Sequence, residues 1–461
     1  MVIDETIFKS YDIRAIYPGQ INEKNIQVIT QSVYKVLSQK LGKTKFSIVL
    51  SRDMRLSSPS LFEKAKEALV ACGLEVVDIG LSSTPTFYYA VFSKGFEAGI
   101  QISASHNPKE WNGLKIVMNS QNGLVKIGKS TGMEDVKKIS LKSNELLNIQ
   151  GGSVTGLGNI VEDEVKNALK ITGNPNLSSF KIVADAANSM GAVYLDELFK
   201  HIPGTFIRMN FELDGTFPAH QPDPLNFETL VDLKRNVLKE KADIGFAPDG
   251  DGDRFFFIDE KGEVVPPTII TSLVAREMLK KTPGATILFD IRYILTPKKI
   301  IEENGGKWDI TKVGHAYITE KMHETGAVFA GESSSHFFLK ETGNGEAPIP
   351  VILMVLSVMT RENKKLSKLS EELRRSYESG EINFKVSNAW EILETLRFDY
   401  KDGELNDMDG IAISYPTWRF SVRTSNTEPL LRLNVEGYNR KETEAKKKEL
   451  IDKINSLSIS K

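Results

Sequence analysis

The chain has 461 residues, 40% of them hydrophobic and 26% charged, with a formal net charge of −2. That length holds several domains at about 100–200 residues each. The composition is that of an ordinary globular protein, and the charge balance gives no electrostatic reason to expect nucleic acid or a membrane as partner. Cys72 is the only cysteine, which excludes an internal disulfide and a cysteine-built metal site. Residues 1–5 lack the basic and apolar regions of a leader, and the longest apolar run, 351–359 broken by Ser357, is too short to span a bilayer. The expected setting is cytoplasmic.

Taken in order, the chain opens with Phe-Lys-Ser-Tyr-Asp-Ile-Arg (8–14), whose Tyr11 and Arg14 are candidates to line a site, ahead of a helix predicted over 23–41. A pattern then occurs three times: strand, helix, strand, helix, strand, polar loop. Its first copy has strands at 45–50, 75–79 and 98–102. One helix carries Leu61, Ala65, Leu69 and Cys72 on one face, and a second spans 87–94. The second copy has strands at 181–185, 205–210 and 243–246, a helix holding Val193, Leu195 and Leu198, and another over 227–241. The third has strands at 286–290, 308–310 and 327–330 with helices at 298–304 and 318–324. Short strands at 411–413, 419–423 and 431–436 follow, then a basic amphipathic helix, 440–454, whose lysines read as a solvated face.

Such alternation predicts the α/β class: three similar mixed α/β domains with mostly parallel sheets plus a C-terminal α+β domain, around one central cleft. The expected boundaries are 1–155, 156–260, 261–378 and 379–461. Ligands of such sheets bind beyond the carboxyl ends of strands, so the three polar loops carry the chemistry. In Asp-Gly-Asp-Gly-Asp-Arg (249–254), Asp249, Asp251 and Asp253 crowd negative charge between two strands. Hard oxygen donors of this kind suit Mg²⁺ or Ca²⁺. An EF-hand is set aside because Arg254 stands where that loop needs glycine, and the flanks read as strands. Ser105, in Ser-Ala-Ser-His-Asn-Pro (103–108), lies outside any Gly-x-Ser-x-Gly elbow, so hydrolase chemistry has no support there. Beside a hard cation it makes sense as a phosphoryl carrier, with Lys115 on the next strand in reach. Glu332, Ser334 and His336 alternate in the third loop and suit sugar hydroxyls. His315 is a candidate acid or base. Arg-Thr-Ser-Asn-Thr-Glu-Pro (423–429) offers a guanidinium fork with hydroxyl, amide and backbone donors, a plausible phosphate cradle.

These four loops, with Tyr-Asp-Ile-Arg (11–14) and Asp-Gly-Thr-Phe-Pro (214–218), resemble the signature loops of the α-D-phosphohexomutases, nearest to the phosphomannomutase/phosphoglucomutase branch. The resemblance implies a Mg²⁺-dependent isomerase, one Mg²⁺ per chain, interconverting hexose 1- and 6-phosphates of mannose or glucose through a hexose 1,6-bisphosphate. It implies a phosphoserine at Ser105, with Mg²⁺ held by Asp249, Asp251, Asp253 and a phosphoserine oxygen. Glu332 and Ser334 read the sugar, and Arg423, Ser425, Asn426 and Thr427 hold the non-reacting phosphate. Arg14, Lys115, Arg254, His315 and Arg292 line the transfer site, with Tyr11 and His336 also in contact with substrate. The expected state is a monomer or weak dimer. The alternatives are a phosphoglucosamine mutase, a metal-dependent sugar phosphatase and a non-catalytic sugar-phosphate binder. Three positions depart from the family pattern: Ala15 and Ser335 replace glycines, and Glu-Ala-Pro-Ile-Pro (346–350) replaces an Asp-Gly stretch. Ser335 is expected to bear on specificity, Ala15 on its loop's backbone and 346–350 on the start of the next helix.

Overall fold

The computed structural model describes residues 3–143, 145–424 and 430–458. The chain divides into two compact units, Met1–Val265 with Ser334–Leu369, and Pro266–Ser333 with Ser370–Lys461.

The three repeats share one topology. In the first, the strand Ser47–Arg52 lies between Ala98–Ile102 and Glu75–Leu81, all parallel. In the second, Phe180–Asp185 lies between Ile244–Pro248 and Gly204–Met209, again parallel. In the third, Thr286–Asp290 lies between Phe329–Gly331 and Lys307–Thr311. The first strand of each repeat is therefore central, and the chain crosses it to place the third strand on its other side. The carboxyl ends of strands one and three are neighbours at that switch point, where open α/β sheets bind ligands.

In the first unit, Ile48 and Leu50 pack with the helices Asn25–Leu41 and Ser58–Val70, while Val49 faces Phe87 and Val91 of the helix Thr84–Ser93. Burial on both faces is why this strand reads as a continuous apolar run. The antiparallel strand Trp111–Ser120 extends this sheet beyond Ala98–Ile102, and Ser153–Gly156 closes the opposite edge. In the second repeat the antiparallel partner is Phe255–Asp259. Phe246, Phe255 and Phe257 pack on one face, with centroids 5.1–5.7 Å apart, and Val183, Ala247 and Phe256 pack with Leu233 and Val237 on the other. In the second unit, an antiparallel sheet orders Leu431–Gly437, Trp418–Thr424, Ile411–Ser414 and Glu404–Asn406. The helices Ala389–Asp399 and Arg440–Leu457 cover it through Leu396, Phe420, Val435, Leu450 and Ile454.

Several helices start a turn earlier than their apolar periodicity predicts. The helix predicted over 87–94 begins at Thr84, capped by the Ser83 hydroxyl accepting from the Thr86 amide, with Pro85 in its first turn. Those predicted over 298–304 and 318–324 begin at Leu295 and His315. The first turns of these two helices have no side-chain cap, so nothing in the local pattern marks their starts. The helix predicted over 227–241 is a 3₁₀ turn, Phe227–Leu230, followed by Val231–Glu240. Of the three departures, Ala15 sits buried in the strand Ile13–Ile16, in register with Asn112. The next helix starts within 346–350, at Pro348, proline being well suited to a first turn.

Candidate phosphoryl-transfer and anion sites

Asp249, Asp251 and Asp253 follow the third strand of the second repeat, and all three are buried. Two glycines between them answer steric demands. A Cβ on Gly250 would sit 2.4 Å from the Ser105 carbonyl oxygen, and Gly252 has φ +78° with the Tyr194 ring 2.8 Å from where its Cβ would be. Asp249 Oδ1 accepts from the amides of Gly252 and Arg254 at 3.1 and 3.2 Å. Asp251 Oδ2 accepts from Thr84 Oγ1 at 2.5 Å, and Asp253 Oδ1 lies 3.1 Å from His336 Nε2. Lys115 joins the group: its Nζ pairs with Asp251 Oδ2 and lies 2.6 Å from Asp253 Oδ2.

The donor set fits a hard divalent cation. One carboxylate oxygen from each aspartate lies within 4.8 Å of the others, and Asp251 Oδ1 is buried without a hydrogen-bond partner among the described residues. Burial and the charges of Asp253 and Asp251 push the Asp249 carboxyl well above the usual carboxylate range. Asp253 is buried too, yet Lys115 and His336 hold it well below that range. Burial opposes the charge on Lys115, but Asp251 and Asp253 outweigh it and keep the ammonium protonated. One ammonium among three carboxylates leaves a negative excess, which a cation relieves.

Ser105 faces this loop. Its backbone is in the left-handed region, φ +53°, and its hydroxyl lies 3.1 Å from His106 Nδ1 and donates to Asp249 Oδ2 at 3.4 Å. Burial, with Arg254 and Arg14 nearby, pushes His106 well below its ordinary value, so its ring is neutral. Arg14 pairs with Asp12 at 2.9 Å and donates to Asn107 Oδ1 at 2.5 Å. Arg254 lies 3.5 Å from Asp223, and its Nε and Nη1 are buried without a hydrogen-bond partner among the described residues. Tyr11 is half-buried, two residues before the strand that carries Arg14. Ser334 and His336 belong to this unit: Ser334 Oγ lies 3.1 Å from His336 Nδ1, so both ring nitrogens of His336 are engaged. Ser335 has φ +70°, a left-handed conformation that favours glycine. Its hydroxyl donates to the Phe255 carbonyl at 2.7 Å, and the residue is 1% exposed.

The second unit holds a different site. Arg292 follows the first strand of the third repeat and donates to Asp290 at 2.9 and 3.1 Å. Its Nη2 lies 3.5 Å from Glu332, whose carboxylate accepts from the Gly314 amide at 2.9 Å. His315 is half-buried at the first position of the helix His315–Thr325. Arg292, Arg423 and Arg432 converge on Glu381 at 3.6, 3.5 and 3.1 Å. Burial and the neighbouring Arg292 push the Arg423 guanidinium below its ordinary value, a sign of crowded cations. With Arg292 also held by Asp290 and Glu332, Arg423 and Arg432 share Glu381, and guanidinium forks of this kind suit an anion. Ser425, Asn426 and Thr427 lie outside the described residues.

The polar loops after third strands were legible in the sequence, whereas Arg55, Thr84, His106, Glu381 and Arg432 were not singled out. A signal for Arg55 existed. Asp53-x-Arg55 ends the first strand of repeat one just as Asp290-x-Arg292 ends that of repeat three. In both, the arginine amide donates to the aspartate, at 3.0 and 2.8 Å.

Four family models match in chain order. Domains I, II and III of phosphoglucomutase/phosphomannomutase, each described as alpha/beta/alpha, match residues 5–139, 163–262 and 266–377, and its C-terminal domain matches 360–453. A phosphomannomutase of Methanocaldococcus jannaschii is 36% identical, the match covering 99% of both chains. A phosphomannomutase/phosphoglucomutase of Pseudomonas syringae pv. tomato is 32% identical over 96% of this chain and 94% of its own. The crystal structure of a phosphoglucomutase/phosphomannomutase family protein from Burkholderia thailandensis superposes with a TM-score of 0.85 at 28% identity, covering 99% and 98% of the two chains.

Proposed function

The chain belongs to the phosphoglucomutase/phosphomannomutase family, a family of isomerases, and we propose that it interconverts the 1- and 6-phosphates of mannose or glucose with Ser105 as phosphoryl carrier. The observation that carries this reading is the place of Ser105. Its hydroxyl lies against His106 Nδ1 and Asp249 Oδ2, on the loop whose Asp251 and Asp253 pair with Lys115, and Arg14 holds Asn107 of the same turn. In the proposed cycle, phosphoserine 105 gives its phosphoryl group to a hydroxyl of the bound hexose phosphate. The P–Oγ bond breaks as a P–O bond to the sugar forms, and the sugar's proton passes to the released serine oxygen through a neighbouring base. The resulting hexose 1,6-bisphosphate turns over, and its other phosphoryl group returns to Ser105.

Asp249, Asp251 and Asp253 would hold Mg²⁺, which when bound neutralises phosphoryl oxygens as charge shifts between donor and acceptor. Lys115, kept charged by Asp251 and Asp253, and Arg14 and Arg254 supply fixed positive charge to the same oxygens. Glu332 accepts from sugar hydroxyls, and Arg423 with Arg292 binds the phosphate that is not reacting. The test is Ser105→Ala. Turnover of mannose and glucose 1-phosphates should disappear, together with the extra phosphate mass on the purified protein, while the fold is retained. A folded Ser105→Ala enzyme that keeps most of its turnover would sink the phosphoserine reading. Glucosamine 1-phosphate belongs in the same assay, where preferential turnover would reassign the sugar.

A further inference from the structure

Arg55 has no place in the chemistry above, yet it is the most heavily hydrogen-bonded side chain near Ser105. It is fully buried, at 0% exposure, and all five of its N–H donors are used. Nε donates to Asp53 Oδ2 at 3.1 Å. Nη1 donates to the carbonyls of Pro108 and Trp111 at 2.6 and 3.0 Å, and Nη2 to those of Ser105 and Asn107 at 2.8 and 2.7 Å. The remaining carbonyl of the turn, that of His106, accepts from Gln221 Nε2. Asp53 is fixed in turn by Ser58 Oγ at 2.6 Å. The 214–218 stretch also finds its use here. The Phe217 ring lies under the guanidinium, 5.2 Å from Cζ, and a Cβ on Gly215 would sit 2.7 Å from the Arg55 Cα.

We infer that Arg55, assisted by Gln221, is the positioning residue of the phosphoryl-carrier loop; this rests on the function proposed for Ser105. Left-handed backbone at a serine is unfavourable and persists only where its surroundings over-determine it. Here four carbonyls are drawn onto one planar fork. That fixes the serine's backbone and turns the carbonyl dipoles, which would repel a phosphoryl dianion, toward the guanidinium. A lysine keeps the charge but has three donors on a flexible stem and cannot span four carbonyls. Small misplacement of a reacting group is costly in rate, of order a hundredfold per ångström.

The experiment compares wild type, Arg55→Lys and Gln221→Ala. For Arg55→Lys, kcat and the rate at which hexose 1,6-bisphosphate loads Ser105, followed by intact mass, should fall roughly a hundredfold. KM and the half-saturating Mg²⁺ should stay within about threefold. A merely structural role would move all of these together with thermal stability. Hydrogen exchange over 103–113 should speed up about tenfold while exchange over 244–259 is unchanged. Normal kcat with normal exchange overturns the inference, as does a loss shared equally by kcat, KM and Mg²⁺ affinity. Should Arg55→Lys fail to fold, Gln221→Ala decides, its side chain being only half-buried. The same kcat-selective loss, several-fold, supports the inference, and wild-type kcat and exchange overturn it. A wild type without mutase turnover or phosphate on Ser105 would instead refute the proposed function, and exchange over 103–113 would still judge the clamp.

Discussion

In the first unit three buried carboxylates, Asp249, Asp251 and Asp253, surround one ammonium, Lys115; in the second, three guanidiniums, Arg292, Arg423 and Arg432, surround one carboxylate, Glu381. Arg292 is also paired with Asp290 and Glu332, so in the second cluster Arg423 and Arg432 are the guanidiniums that share Glu381. The difference lies in the sign of the groups that crowd together: clustered carboxylates suit a cation, and clustered guanidiniums suit an anion. It also separates two demands of phosphoryl transfer, stabilising charge at the reacting group and holding a phosphate that does not react.

The comparison breaks most readily at Asp251. Asp251→Asn removes the carboxylate with a buried, unpartnered oxygen, and turnover should fall by roughly two to three orders of magnitude, the several kcal/mol expected of a metal's charge stabilisation. Added Mg²⁺ should restore only part of it, and affinity for inorganic phosphate at the arginine cluster should not change. Full wild-type turnover in chelator would contradict a cation at this site.

Arg423→Ala comes next. Hydrogen bonds to charged groups contribute about 1.5–3 kcal/mol, so hexose phosphate affinity should drop by about one to two orders of magnitude. Calorimetry should find the loss for both the 1-phosphate and the 6-phosphate, with half-saturating Mg²⁺ unchanged. A loss confined to one isomer would require two phosphate sites in place of one.

Glu381→Gln sharpens the contrast in the other direction. Its carboxylate competes with an incoming anion for the three arginines, and a partly exposed pair is worth up to about 1 kcal/mol. Phosphate should therefore bind up to roughly fivefold tighter to Glu381→Gln, by calorimetry at low salt. Weaker binding would mean that Glu381 holds the arginines in place.

The smallest effect on activity is expected at Glu164, a buried carboxyl in the first unit with a hydroxyl for a partner, Thr86 Oγ1 at 2.6 Å, in place of a cation. Burial raises it from 4.5 to about 8. The folded state then keeps a proton that the unfolded chain releases, so the Glu164 contribution to stability is greatest below pH 4.5 and falls as pH rises to about 8. Glu164→Gln should abolish that slope, gaining a few kcal/mol at pH 8 relative to pH 5, at about 1.4 kcal/mol per unit. Denaturant unfolding at both pH values measures it, and an unchanged slope would show that Glu164 is ionised in the fold.

Within the described residues, no helix is long and apolar enough to cross a membrane. The three repeats were legible because each strand is short, apolar and followed by a helix whose inward face recurs at helical spacing. The loops after third strands were legible because their residue types are extreme, carboxylates alternating with glycine or a serine beside histidine. The helix start at Thr84 is set by the Ser83 cap and Pro85, which carry no periodicity, whereas the starts at Leu295 and His315 have no side-chain cap. Ser335 looked like a specificity residue in sequence, because only its type was visible. The fold shows that its backbone is left-handed and that its hydroxyl is bound to the Phe255 carbonyl.

By itself, then, the sequence determined the class of fold, the order of the repeats, and the acidic and serine loops, since those follow from local periodicity and local chemistry. Tertiary structure alone decided which distant residues complete each loop. Crossing over the central strand sets the end of strand one beside the end of strand three, about fifty residues apart for Arg55 and Ser105 (|i−j| of 50). That crossing brings Asp53 and Arg55 to the serine loop, and Asp290 and Arg292 to Glu332. Partners of this kind leave no mark on local pattern: a buried arginine that donates to four backbone carbonyls needs only carbonyls, which every residue supplies.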